Sequence, residues 1–207
     1  TQQLESSLFI NCQNLNESRG RLPDASSSIV RFQIGTPDST NNFSQGFNGY
    51  VLPPVFSAPS GVYATSLDIT ITNPNGLGST IYYTTDGSEP TMASNLYTGA
   101  PIPIFFSQVL RARAFGPGFL PSSITSASYL LGVDHETPII SVITENSNLY
   151  GPQGIFDNWQ FDWQRTAQMD YFTETEQFLF SRNTAMQVDG GWGGSRSHPQ
   201  HSFRLEM

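Results

Sequence analysis

Between residues 55 and 131 apolar and polar positions alternate in short runs that recur at even spacing. Val55-Phe56-Ser57 is the first. In Leu67-Asp68-Ile69-Thr70-Ile71-Thr72 the leucine and isoleucines fall on one face and Asp/Thr on the other. Thr80-Ile81-Tyr82-Tyr83-Thr84-Thr85, then Ile102 and Ile104, Val109 to Phe115, and Ser126-Ala127-Ser128-Tyr129-Leu130 continue the series. A period of two is that of a half-buried strand. Asn75-Gly76, Asp86-Gly87 and Gly116-Pro117-Gly118 separate the runs with residues suited to tight turns. Short strands at this spacing predict a β-sandwich.

We place that sandwich, immunoglobulin-like in its strand count, at residues 52–131. Residues 1–50 carry the breakers Gly20, Pro23, Gly35, Pro37, Gly46 and Gly49, with strand-like pieces at Leu8-Phe9-Ile10 and Ile29-Val30-Arg31-Phe32. That is too little for a self-standing core, so the segment reads as the end of a larger element or a strand pair packed on its neighbour. Residues 135–207 open with a strand at Ile139-Ile140-Ser141-Val142. Alternation continues at Ala167/Met169/Tyr171, Phe178/Phe180 and Met186/Val188, and a strand-like run starts at Phe203. The expected fold class is mainly β, with an immunoglobulin-like β-sandwich in the centre flanked by β-rich partial domains.

Charge narrows the partners. Nine basic residues stand against 17 acidic ones, for a net charge of −8, and every cation is arginine. Without a basic stripe, neither nucleic acid nor an anionic membrane surface is expected as a partner. No apolar run reaches the ~18 residues that span a bilayer, so membrane insertion is not expected. Ser, Thr, Asn and Gln make up a third of the chain. With few charges and no lysine, this reads as a secreted or cell-surface protein. The single cysteine, Cys12, cannot form an internal disulfide and is expected as a buried thiol.

Three stretches carry family resemblances. Phe56 to Tyr63, the hairpin Ile81 to Thr91 with its Asp86-Gly87-Ser88-Glu89-Pro90 turn, and Leu110 to Phe115 together resemble the chitobiase/β-hexosaminidase C-terminal-type module. That resemblance implies an accessory sandwich with no catalysis of its own. Ser18-Arg19-Gly20-Arg21-Leu22-Pro23-Asp24-Ala25-Ser26, Val30-Arg31-Phe32 and Gly35 to Asn41 resemble the closing strands of a lamin-tail-type domain, although Ala25 stands where that family usually has glycine. From Asp134-His135-Glu136-Thr137-Pro138-Ile139-Ile140-Ser141 to Ser202-Phe203-Arg204-Leu205, order and spacing resemble the opening of the CotH kinase family. This resemblance implies secreted or spore-coat proteins of kinase-like fold, with catalytic aspartates downstream of the matching stretch. ATP and magnesium would be its cofactors in a longer chain. Where that family usually carries lysines before its Ser-Phe-Arg, this sequence has Gln200 and His201.

Several residues could carry chemistry. Gly190, Gly191, Gly193, Gly194 and Ser195 could form a phosphate-binding nest, with Arg196 or Arg204 as charge partner. The competing reading is a hairpin or bulge between two strands. Phosphoryl transfer also needs carboxylates for Mg²⁺ and a base, so no catalytic residue is assigned. Asp86 and Glu89 offer half a calcium site or a structural turn. Pro199 between His198 and His201 bars the helix that would align them on a metal. Asp157, Asp162, Asp170, Glu174 and Glu176 read, for the most part, as solvated loop charges rather than a glycosidase pair. Trp159, Phe161, Trp163 and Tyr171 could stack on sugars, against the plainer reading of core. Asn16-Glu17-Ser18 and Asn42-Phe43-Ser44 match the N-glycosylation sequon. The leading expectation is a structural or accessory part of a larger secreted modular protein, with other domains of that chain or cell-surface proteins as partners. A CotH-type protein kinase and a carbohydrate-binding or adhesive module are the alternatives.

Overall fold

The computed structural model describes residues 17–76, 78–134, 136–191 and 196–206. Leu8-Phe9-Ile10, Cys12 and Asn16 lie outside the described residues. The N-terminal part is an antiparallel pair, β1 (Ser18–Arg21) and β2 (Ile29–Phe32), in which Ser18 faces Phe32 and Arg21 faces Ile29. Phe32 is buried, and Arg31 bridges to Phe47. Ala25, in the loop between the strands, has φ 63°. Side chains rarely adopt this left-handed region and glycine enters it without cost, so glycine would suit this turn better than alanine. A parallel bridge from Tyr50 to Leu120 joins this part to the sandwich.

The next nine strands are β3 (Val55–Phe56), β4 (Gly61–Tyr63), β5 (Leu67–Ile69), β6 (Ile71–Thr72), β7 (Thr80–Thr84), β8 (Asn95–Leu96), β9 (Ile102–Ile104), β10 (Gln108–Phe115) and β11 (Thr125–Leu131). One layer is a five-stranded sheet in the order β4-β11-β10-β7-β8, and the other consists of the pairs β3-β6 and β5-β9. The chain crosses between layers at Pro59-Ser60: β3 pairs with β6, and β4 then runs parallel to β11. Ile69, Ile71, Ile102 and Ile104 from one layer meet Ile81, Leu110, Ala112, Ala114, Ala127 and Tyr129 from the other in a single core. Each fully buried branched side chain contributes about 1.5–3 kcal/mol.

The run expected as one strand from Leu67 to Thr72 is broken at Thr70. There the N–H donates to Ser57 Oγ (3.0 Å) instead of a ladder carbonyl, while the Thr70 carbonyl accepts the Ser57 N–H (2.9 Å). The inward period survives the break, since Ile69 and Ile71 are both buried.

The last part is a meander of β12 (Ile139–Ile143), α1 (Asn146–Leu149), β13 (Arg165–Phe172), β14 (Phe178–Asp189) and β15 (Ser202–Glu206), its four strands in sequence order. One sheet face carries Ala167, Met186, Val188 and Leu205, over which Leu149, Ile155, Phe156, Trp159 and Trp163 pack. The other face carries Ser141, Asp170 and Ser181 in one cross-strand row. Asp170 overturns its reading as a solvated loop charge: it lies in β13 and is fully buried.

Candidate functional site

The Ser141-Asp170-Ser181 face looks onto the outer side of the five-stranded sheet, and the seam between them is built from hydroxyls. Ser60, at the crossover between β3 and β4, donates from Oγ to Asp170 Oδ2 (3.0 Å) and accepts the Ser128 N–H (3.1 Å). Ser128 Oγ lies 2.9 Å from Ser141 Oγ. The other carboxylate oxygen, Asp170 Oδ1, accepts from Gln168 Nε2 (3.1 Å), which also donates to Ser181 Oγ (2.8 Å). Both oxygens of the buried Asp170 carboxylate thus accept hydrogen bonds, as burial requires.

A second contact lies at the tip of the β7 hairpin. Asp86 accepts from the Ser88 hydroxyl and backbone N–H at Oδ1, and those bonds hold its carboxyl below the usual carboxylate range. Thr84 Oγ1 donates to the Ser88 carbonyl (2.7 Å) and Arg111 to the Gly87 carbonyl (2.7 Å), while Arg113 pairs with Glu89. Two outward arginines of β10 therefore pin the turn. Its far side meets the last part of the chain: the Glu89 N–H donates to Glu145 Oε1 (3.0 Å), and the Thr144 carbonyl sits 3.1 Å from where a Gly87 side chain would begin. Gly87 also has φ 83°, so glycine is demanded there both by the backbone and by the close approach.

This hairpin, the Ser60 crossover and the paired arginines of β10 fall within one recognisable segment. Residues 58–127 match the family model of the chitobiase/beta-hexosaminidase C-terminal domain. The match spans a third of the chain. No curated protein and no solved structure matches. The chitobiase-type segment supplies Ser60, Gly87, Glu89 and Arg111 to the seam, whereas Ser141, Glu145 and Asp170 lie beyond it.

The phosphate candidates stand elsewhere, around the connection from β14 to β15. Gly190 has φ 110° directly after β14, and Gly191 is exposed. Gly193, Gly194 and Ser195 lie outside the described residues. Arg196 is buried, with Nη2 donating to Asp162 Oδ1 (2.6 Å) and the Val188 carbonyl (3.0 Å). Arg204, on β15, pairs with Asp189 (3.0 Å) and Glu206 (3.6 Å). The Gly190 N–H, then Arg204, lower the Asp189 carboxyl below its ordinary range.

The remaining candidates are occupied by local work. His201 bonds the Arg196 carbonyl and stacks on Phe156 at 4.8 Å, and His198 is exposed. Trp159 and Trp163 pack on the last core, Phe161 stacks on Trp163, and Tyr171 stacks on Phe180. Asp157 caps the Gly151 N–H (2.6 Å). Among the described residues no group of three or more His, Cys, Asp or Glu could hold a metal, and no helix is long and apolar enough to cross a membrane.

Sequence reasoning missed Ser60, Asp170 and the row around them. The signal lies in Gln168, Asp170 and Phe172, which alternate on one face of a strand whose other face is apolar. A face that ends in phenylalanine is a poor candidate for water.

Proposed function

We propose that this chain is a structural, accessory part of a larger secreted modular cell-surface protein, in which a chitobiase-type sandwich carries and orients the β-rich unit C-terminal to it. The observation behind this reading is the seam. Ser60 and Ser128 on the sandwich meet Asp170 and Ser141 on the next sheet, and the Gly87-Glu89 turn meets Thr144 and Glu145. Flexible linkers between independent domains form no such buried polar joint. Its partners are other domains of the same chain or cell-surface proteins. The pair β1-β2 is the end of a lamin-tail-like domain on this reading, and residues 135–207 open a CotH-like one.

The enzyme reading makes the chain the first half of a CotH-type kinase. Arg196 spends its guanidinium on Asp162 and a carbonyl, and Arg204 is shared between two carboxylates, so neither side chain fits a polyphosphate as placed. Incubating the protein with radiolabelled ATP and Mg²⁺ is expected to leave it, and an added acceptor protein, unlabelled. Stoichiometric incorporation would overturn the structural reading.

A further inference from the structure

Above the seam the two sheets part into a cleft of about 460 Å³, within the usual size range of small-molecule sites. The sandwich contributes Glu89 and Arg111; β12, β13 and β14 contribute Ile143, Thr166, Ala167 and Asn183 among others. We propose that this cleft is a binding site for a neutral saccharide unit.

Its charges exclude the alternatives. Arg111 is a half-buried guanidinium that spends Nη1 on the Gly87 carbonyl and Nε on Ser126 Oγ. Glu89, Glu145 and Asp86 surround it closely enough to interact electrostatically. An anion drawn to Arg111 would meet three carboxylates, so phosphate and uronate are disfavoured. The carboxylates are themselves taken: Glu89 by Arg113, Glu145 by the Glu89 N–H and Asp86 by Ser88. Three carboxylates against the two guanidinia of Arg111 and Arg113 repel an anion, and with each carboxylate already hydrogen-bonded the ligand that fits is neutral.

The cleft's uncommitted polar groups are mixed. Thr166 Oγ1 and the Asn183 amide have no hydrogen-bond partner among the described residues, and each both donates and accepts. A run of vicinal hydroxyls, each donor and acceptor at once, matches such a set. Ile143, buried, gives the cleft an apolar floor for the C–H face of a sugar ring. Hydrogen bonding dominates and no aromatic ring among the described residues lines the cleft, so binding in the millimolar range is expected.

The test is an amide-shift titration of the full chain with glucose, galactose, N-acetylglucosamine and their β-1,4-linked dimers, with glucuronate as the anionic control. Saturable shifts confined to Thr166, Gln168, Asn183 and the Glu145 region are expected for at least one neutral sugar, with weaker shifts for glucuronate. Asn183→Ala should weaken binding roughly tenfold, as loss of one or two hydrogen bonds does. Asn183→Trp, which fills the cleft from an exposed strand position, should abolish it without changing the melting temperature. No shift at tens of millimolar sugar, shifts located elsewhere, binding indifferent to both variants, or glucuronate binding as tightly as neutral sugars would each overturn the proposal. None of these outcomes bears on the seam itself, whose failure would show in unfolding.

Discussion

Between its own two layers the sandwich is dry. Ile69, Ile71, Ile102 and Ile104 face Ile81, Leu110 and the alanines of β10 and β11, and the tyrosine hydroxyls at its margin are bonded, Tyr129 donating to the Ala58 carbonyl at 2.8 Å and Tyr97 accepting the Ile71 N–H at 3.0 Å. Between the sandwich and the four-stranded sheet the contact is hydroxyl to hydroxyl and hydroxyl to carboxylate, through Ser60, Ser128, Ser141 and Asp170. Apolar burial is non-directional and tolerates sliding, so it makes a strong core without dictating one orientation. Buried hydrogen bonds are worth less net but penalise every geometry in which they are unmade. The difference suits the two tasks: one interface holds a domain together, the other sets the angle at which a neighbour is carried.

The largest blow should fall on the dry side. Leu110→Ala, at a fully buried position in β10, is expected to cost about 2–5 kcal/mol in urea unfolding and to weaken the whole chain. On the polar side, Gly87→Ala forces a side chain into a left-handed backbone and against the Thr144 carbonyl. A loss of roughly 1–2 kcal/mol is expected, together with faster amide exchange at Glu89, whose N–H crosses the seam. An unchanged exchange rate there would detach the turn from the seam.

The two regions should also fail at opposite ends of the pH scale. Burial pushes the Tyr129 phenol up, so its folded pKa exceeds the unfolded value of about 10. The stability it contributes is therefore present below pH ~10 and lost as pH rises from there towards the folded pKa. Asp86 is held down by the Ser88 bonds, so its contribution is present above the ordinary carboxylate pKa of ~4 and lost as pH falls through its lower folded value. Amide exchange followed against pH should show core protection failing first in alkali and turn protection first in acid. The smallest change lies outside both regions: Ala25→Gly should raise the melting temperature, relief of the left-handed strain (about 1–2 kcal/mol) outweighing the ~0.5–1 kcal/mol entropy cost of glycine.

The same contrast decides how much of the molecule is legible in its sequence. A dry core writes itself as alternation, and β7, β9, β10 and β11 lie where Ile81, Ile102, Leu110 and Tyr129 predict them. Strand β4 escapes the pattern because it is only three residues long, Gly61 to Tyr63, and its pairing with β11 is parallel and distant in sequence. Two-residue β8 is exposed at both positions and buries nothing that could signal it. The seam is illegible because serine and aspartate look alike in water and in a buried network; only the partner 110 residues away distinguishes them. Of the candidate phosphate-loop residues, Gly190, Gly191, Arg196 and Arg204 have defined places, and both arginines are in use by carboxylates.

The chain places all three of its tryptophans, Trp159, Trp163 and Trp192, after the sandwich. Tryptophan fluorescence therefore follows the last unit alone, while amide exchange at Ala112 and Ala127 follows the sandwich. Urea unfolding of the wild-type chain and of Asp170→Ala, read by both probes, tests the seam most directly. If the seam joins the two units, the wild-type curves coincide, and Asp170→Ala, by stranding Ser60 and Gln168, moves the fluorescence transition to lower urea while the sandwich unfolds later. Separate transitions in the wild type, or coincident ones in the variant, would contradict it.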